Sequence, residues 1–386
     1  MDGLSAVIFI PDDTGKTGYT EPMMLKKVCG APLLAWLSVE LYDSGVGRFF
    51  LVCHDRYVEA AQACMPPESK VMTSAETGSA DLLHVFLSTA EESEDEVTIV
   101  AGPAIYAPLL KKEGTKTSCV CRASREALMA VLDENFSFSC FLRDNCSFLT
   151  DADGFYSVDC PAALYELSGL LREERMLQLQ RQGVEIFDPR NCYVTPSVRL
   201  EPGARLLAGA IVKGSSIIRS EAVIGPWSVV EDSEIGEGTE VNASQVSSAE
   251  IGPECTIGPF AHIRPGTVLG RGVKMGNFTE AKNSAVGEGT KISHLSYVGD
   301  AEIGRDCILG CGTVTVNFDR VEKHRTQVGD NAFVGCHTAM VAPVSVGEGA
   351  YIAAGSVITE DVQENSLAIA RSRQTGKKDW ALRHKK

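Results

Sequence analysis

Apolar residues fall into two rhythms along this chain. From residue 1 to about 165, short apolar runs alternate with longer mixed segments. Ser5–Ile10 (SAVIFI), Arg48–Cys53 (RFFLVC) and Glu96–Ala101 (EVTIVA) read as buried strands. Pro32–Tyr42 (PLLAWLSVELY) reads as a helix, and Leu164–Gln182 as one long, charged, amphipathic helix suited to a connector. Strands that alternate with helices predict a parallel sheet in an α/β domain.

From about residue 192 the rhythm changes. An aliphatic residue followed by glycine recurs at steps of five, six or their multiples, thirteen times from Ile224-Gly225 to Val346-Gly347. A hexad of this kind turns one aliphatic side chain inward every six residues. The adjacent glycine is expected to supply the tight or positive-φ corner. Three hexads close one triangular coil, and coils stack at ~4.8 Å. Residues 192–360 then give about nine coils, a prism ~45 Å long. Such coils resemble the left-handed parallel β-helix, an exception to right-handed crossovers. The repeat breaks once, at 316–327 (VNFDRVEKHRTQ), which reads as a loop extruded from one corner.

Composition narrows the function. The 386 residues carry a formal charge of −15, which excludes a general nucleic-acid-binding surface. No run approaches the ~18 apolar residues of a membrane span. The first residues have no basic stretch or small-residue cleavage site, so a cytoplasmic protein is expected. Thirteen scattered cysteines, with no CxxC pair, read as small buried hydrophobes of a reducing compartment. Excess basic residues gather only at 371–386, where an anion site for a phosphorylated ligand is one reading and a solvated end the other.

Prisms of hexads mostly host acyl transfer, which needs a base near neutrality, and histidine suits that task. His294 lies two residues past an inward position, with Tyr297 three residues on. His262, His294 and His337 lack the matched coil spacing of a metal triad, so no metal is expected in this half.

The motifs are specific. GPFAHIRPG (258–266), GNFTEAK (276–282), SHLSYVGDAEIG (293–304), GCGT (310–313), NFD (317–319), VAP (341–343), IAAG (352–355) and AIAR (368–371) occur in order. This series resembles the acetyltransferase domain of the bifunctional GlmU family, N-acetylglucosamine-1-phosphate uridylyltransferases and glucosamine-1-phosphate N-acetyltransferases. The resemblance implies four parts: a nucleotidyltransferase-like α/β domain (1–163), a linker helix (164–182), a left-handed β-helix (183–370) and a basic tail (371–386). It implies that His294 is the general base and that Arg264 and Lys282 bind the sugar phosphate. Tyr297, Asn317 and Glu280 would position the sugar, and Lys323 would reach a neighbouring site. Cys311, Phe318, Cys336, Ala354 and Arg371 would meet the co-substrate, acetyl-CoA. A homotrimer with sites between subunits is also implied, serving UDP-N-acetylglucosamine and cell-wall supply.

Some positions depart from that family. Phe318 replaces a tyrosine, Ile308 an asparagine that helps hold the sugar, and Cys311 and Cys336 replace alanine and serine. The N-terminal half departs most. Its first loop reads FIPDDTGKTG (9–18) where the family has LAAGxGTRM, and Asp12 and Asp13 would face the phosphates. Pro22-Met23 stands for the family's PK pair, Gly102-Pro103 for its metal-binding GD, and Ala162 for its metal-binding Asn. ETGS at 76–79 only faintly matches the uridine-binding turn. Inactive uridylyl transfer is therefore expected, with Mg²⁺ needed only if that half works. The alternatives are a fully bifunctional enzyme, an acetyltransferase for another amino sugar, and a non-catalytic trimeric protein that binds sugar nucleotides.

Overall fold

The computed structural model describes residues 4–75, 79–90, 95–110, 116–130, 132 and 147–384. Residues 76–78 of the ETGS segment (76–79), together with Cys140 and Cys146, lie outside them. The chain divides into two compact units, Met1–Pro202 with Ala208–Ser216, and Gly203–Leu207 with Ile217–Lys386.

The first unit is built on a six-stranded sheet in the order Lys70–Ser74, Val46–Cys53, Leu4–Ile10, Glu96–Val100, Lys116–Ser124, Ser147–Thr150. The first four strands are parallel and the last two run antiparallel to their neighbours. The three apolar runs read from the sequence are the three central strands. Alternation sends Ile8, Phe49 and Leu51 to one face, under helices Leu33–Asp43 and Pro161–Arg181. Val7, Phe50 and Val52 go to the other, under Ser79–Ser88 and Arg125–Ala130. The charged helix Pro161–Arg181 buries Leu164, Leu171, Met176 and Leu179.

That helix also buries charge. Glu40 is 2% exposed and accepts a hydrogen bond from the Gln178 amide. Arg175 beside it donates to the Val198 carbonyl at 2.5 Å. Burial outweighs the Gln178 bond and the Arg175 charge, and it pushes the Glu40 carboxyl up to about 7. A folded value above the unfolded one means that the folded state holds the extra proton. Stability is therefore full below about 4.5, falls as pH rises to about 7, and is flat beyond. The expected loss is on the order of 3 kcal/mol. Urea unfolding at pH 5 and pH 8 measures it, and Glu40→Gln should remove most of the difference.

In the second unit each short strand up to the last coil pairs in parallel with the strand three further on, which makes three flat sheets around a solid core. The fold is the left-handed β-helix of hexapeptide repeats. Ile224, Val241, Ile257, Met275, Ile292, Leu309, Val334 and Ile352 stack as one inward row, none more than 1% exposed.

Gly225 and Gly258 take the positive φ expected of the paired glycines, but most of the others act differently. Gly236, Gly252, Gly270, Gly287, Gly304, Gly329 and Gly347 follow aliphatic residues, yet none has positive φ. They stack in one column, and a Cβ on any of them would strike backbone of the next coil at 2.4–2.8 Å. Close approach of coils is what excludes a side chain there. The positive-φ turn falls two residues later and often uses Glu254, Asp306 or Asn331.

Candidate functional site

Register places His294 at a corner of the prism. It ends strand Lys291–His294, directly above Asn277 of the previous coil. The imidazole is exposed, and its Nδ1 lies 2.6 Å from Asn277 Oδ1. Continuing the ladder Ile292–Leu309–Val334–Ile352 by two residues gives the column His294, Cys311, Cys336, Ala354. The next column, Leu295, Gly312, His337, Gly355, consists of left-handed residues, and Arg371 follows Gly355, whose added Cβ would sit 3.6 Å from Arg371 Cδ. The general-base candidate and four of the five acetyl-CoA positions thus form one line along the prism edge. The fifth, Phe318, is exposed in the extruded loop.

Hydrogen bonds tie this corner between coils, with one gap. Leu295 N–H donates to the Asn277 carbonyl, His337 N–H to Cys311 and Gly355 N–H to Cys336, at 2.7–3.1 Å. The equivalent bond from Gly312 to the His294 carbonyl is missing. Ser296 Oγ donates to that carbonyl instead, at 2.8 Å. Among the described residues the Gly312 N–H donates to nothing.

The neighbouring sheet carries the other candidates. Glu280 pairs in register with Tyr297, and Lys282 with Gly299. Arg264 Nη1 holds Glu280 Oε1 at 2.6 Å. The Tyr297 hydroxyl lies against Gly299, where a Cβ would come within 2.3 Å of it. Lys323 comes from the extruded loop, which is pinned by a bridge between Phe318 and Lys323. Asp319 stiffens its tip by accepting the N–H groups of Val321 and Glu322 and bonding His324 Nε2 at 2.8 Å. Those bonds hold the Asp319 carboxyl far below its ordinary range. Lys323 and Arg264 both face Lys282 in the same chain, and the charges of Lys323 and then Arg264 lower the Lys282 ammonium from its ordinary value. Three cations gathered this way suit a phosphate.

Two residues without a role in the sequence reading support these groups. Asn277 carries His294. Buried Asp300 accepts hydrogen bonds from the amides of Asn283 and Asn317, each at 2.5 Å, and so fixes Asn317. The signal was a spacing of 17 residues, one coil, that links 277 to 294 and 283 to 300 to 317. Ile308 is 43% exposed.

In the first unit, the loop after Leu4–Ile10 satisfies itself. Asp12 binds the Thr14 hydroxyl at 2.7 Å and the Arg56 guanidinium, while Asp13 accepts the Met23 N–H at 3.0 Å. Thr14–Thr17 winds into a helical turn that uses the N–H groups of Lys16, Thr17 and Gly18 internally.

The chain matches the family described as bacterial transferase hexapeptide (six repeats) over residues 248–281 and 325–360. With its stacked parallel sheets, this makes the chain a hexapeptide-repeat protein of the left-handed β-helix class, preceded by an α/β unit. Within that class it is GlmU-like. It is 59% identical over 119 residues to the bifunctional protein GlmU of Caldicellulosiruptor saccharolyticus, covering 31% of this chain and 26% of that one. It is 57% identical over 116 residues to the GlmU of Brevibacillus brevis, covering 30% and 25%. The chain spans about a quarter of the length of the curated relatives it matches. Among solved structures, it is similar to an Arabidopsis UDP-N-acetylglucosamine acyltransferase at 15% identity and TM-score 0.33, covering 49% of this chain and 70% of that one. It is also similar to the inositol-1-phosphate CTP transferase of T. maritima at 12% identity and TM-score 0.33, covering 45% and 97%. No helix among the described residues is long and apolar enough to cross a membrane.

Proposed function

We propose that the prism transfers an acetyl group from acetyl-CoA to the amine of glucosamine-1-phosphate. The observation that carries this reading is the exposed His294 imidazole at the head of the Cys311–Cys336–Ala354–Arg371 line, with Arg264 and Lys282 beside the adjoining sheet and Lys323 brought to them by the extruded loop. The cations hold the sugar phosphate. The neutral amine attacks the thioester carbonyl carbon, and His294 Nε2 takes the amine proton. The oxyanion that forms needs a preorganised donor, and the Gly312 N–H, which donates to nothing among the described residues, is one such group at this corner. The C–S bond then breaks and coenzyme A leaves as thiolate. The GlmU likeness supports a homotrimer and a cytoplasmic place in UDP-N-acetylglucosamine supply. The test follows free thiol released in the presence of both substrates. No turnover by the folded protein would sink the reading, as would full turnover after His294→Ala.

The α/β unit does not fit a Mg²⁺–triphosphate site. Its first-loop carboxylates are taken up by Thr14, Arg56 and Met23, the N–H groups of Lys16, Thr17 and Gly18 by backbone carbonyls of the turn, and Pro103 stands where the GlmU pattern has a metal-binding aspartate. UTP and N-acetylglucosamine-1-phosphate with Mg²⁺ should release no pyrophosphate in a coupled assay. Release at a rate matching acetyl transfer would establish a bifunctional enzyme.

Ile308 favours one variant of this reading. An apolar, half-exposed side chain in place of a polar one suits an acceptor with fewer hydroxyl contacts on that side. A panel of amino-sugar phosphates should show the preference as a kcat/KM ratio, and Ile308→Asn should raise the value for glucosamine-1-phosphate.

A further inference from the structure

We infer that Asn277 is the positioning residue for His294, and that it selects the imidazole tautomer from one coil below. This inference rests on the proposed role of His294 as base. The two residues are in register on adjacent parallel strands, so the fold brings them together without any loop. The Leu295 N–H donates to the Asn277 carbonyl at 3.1 Å, which locks the coil carrying the imidazole onto the coil carrying the amide. Gly276, just before Asn277, has no room for a Cβ, which would fall 1.9 Å from the Ser293 carbonyl oxygen. The backbone on both sides of the pair is therefore tightly fixed.

The contact itself is Nδ1 to Oδ1 at 2.6 Å. An amide oxygen can only accept, so Nδ1 must carry the hydrogen. In the neutral ring Nε2 then holds the lone pair, which is the atom a general base must present. The partner is neutral, which is the second part of the inference. A carboxylate in this place would favour the charged imidazolium and cost basic form at a given pH. The carboxylate nearest by motif, Glu280, is held instead by Arg264 at 2.6 Å. Other titratable groups toward this corner are Cys311, one coil on, Tyr297 and Lys282 on the adjoining sheet, and Lys323 in the extruded loop. Asn277 thus orients the base without charging it.

The test reads the tautomer directly. Full-length protein labelled with ¹⁵N-histidine is compared with Asn277→Ala and Asn277→Asp by long-range nitrogen–proton correlation. Wild type should show His294 with Nδ1 protonated and Nε2 bare. Asn277→Ala should show a mixture, with kcat down about tenfold and KM for both substrates within about twofold. Asn277→Asp should keep the tautomer and move the acid limb of the kcat/KM profile up by about one pH unit. Wild-type His294 protonated at Nε2 would overturn the inference. So would a tautomer ratio that Asn277→Ala leaves unchanged. A protein with no acetyl transfer would instead defeat the proposed function, while the spectra still decide the role of Asn277.

Discussion

Replacing His294 by alanine should lower kcat for acetyl transfer by about 10²–10⁴-fold, the usual worth of a positioned general base. The melting temperature should stay within about two degrees, because the side chain is exposed and its one described side-chain bond is to Asn277. The two readouts together separate chemistry from folding. KM for acetyl-CoA should change little, since the donor site proposed above is the column that continues through Cys311, Cys336 and Ala354. Exogenous imidazole should restore part of the rate to His294→Ala by filling the vacated space. A variant that keeps more than a tenth of the wild-type rate would remove His294 from the mechanism.

The second large effect concerns the fold. Gly287→Ala places a Cβ 2.6 Å from the Gly304 carbonyl carbon and 2.7 Å from Arg305 N. Both are backbone atoms held in their own ladder, so no flexible side chain can yield. Overpacking of this kind costs about 1–3 kcal/mol, and the upper end is expected here. Gly272→Ala serves as the contrast. Its Cβ meets nothing within 4 Å, but its φ is +65°, so its loss should be about 1 kcal/mol and conformational in origin. Denaturant unfolding of the two variants ranks space against dihedral angle. Equal losses would refute the argument that coil contact is what excludes side chains from the column.

Much of this molecule could be read from its residues. The inward row from Ile224 to Ile352 needed only the hexad phase, because one buried aliphatic per face is the whole core of a coil. The central strands of the α/β unit were legible because a strand buried on both faces is a continuous apolar run, as in SAVIFI and RFFLVC. The role of most paired glycines, Gly225 and Gly258 excepted, was misread, since a one-dimensional pattern shows which residue is small but not what presses on it. The antiparallel strands Lys116–Ser124 and Ser147–Thr150 escaped because KTSCVCRAS and SFLT lack a continuous apolar run. At the site, the resemblance marked His294, Arg264 and Lys282 by motif. Asn277 and Asp300 act through partners 17 residues away, so only the coil period reveals them.

The corner beside His294 also works as a ruler. From Leu295 the left-handed column steps through Gly312, His337 and Gly355 to Arg371, four coils at ~4.8 Å, or about 19 Å. That length is fixed by backbone hydrogen bonds rather than by side chains, so point substitutions cannot tune it. It changes only in whole coils. Excising one complete coil between His337 and Gly355 would bring Arg371 about 5 Å nearer the base while leaving every remaining register intact. A donor whose thioester and anionic ends are a set distance apart would then no longer reach both. If the proposed function holds, the number of turns of the helix would select the acyl carrier by length.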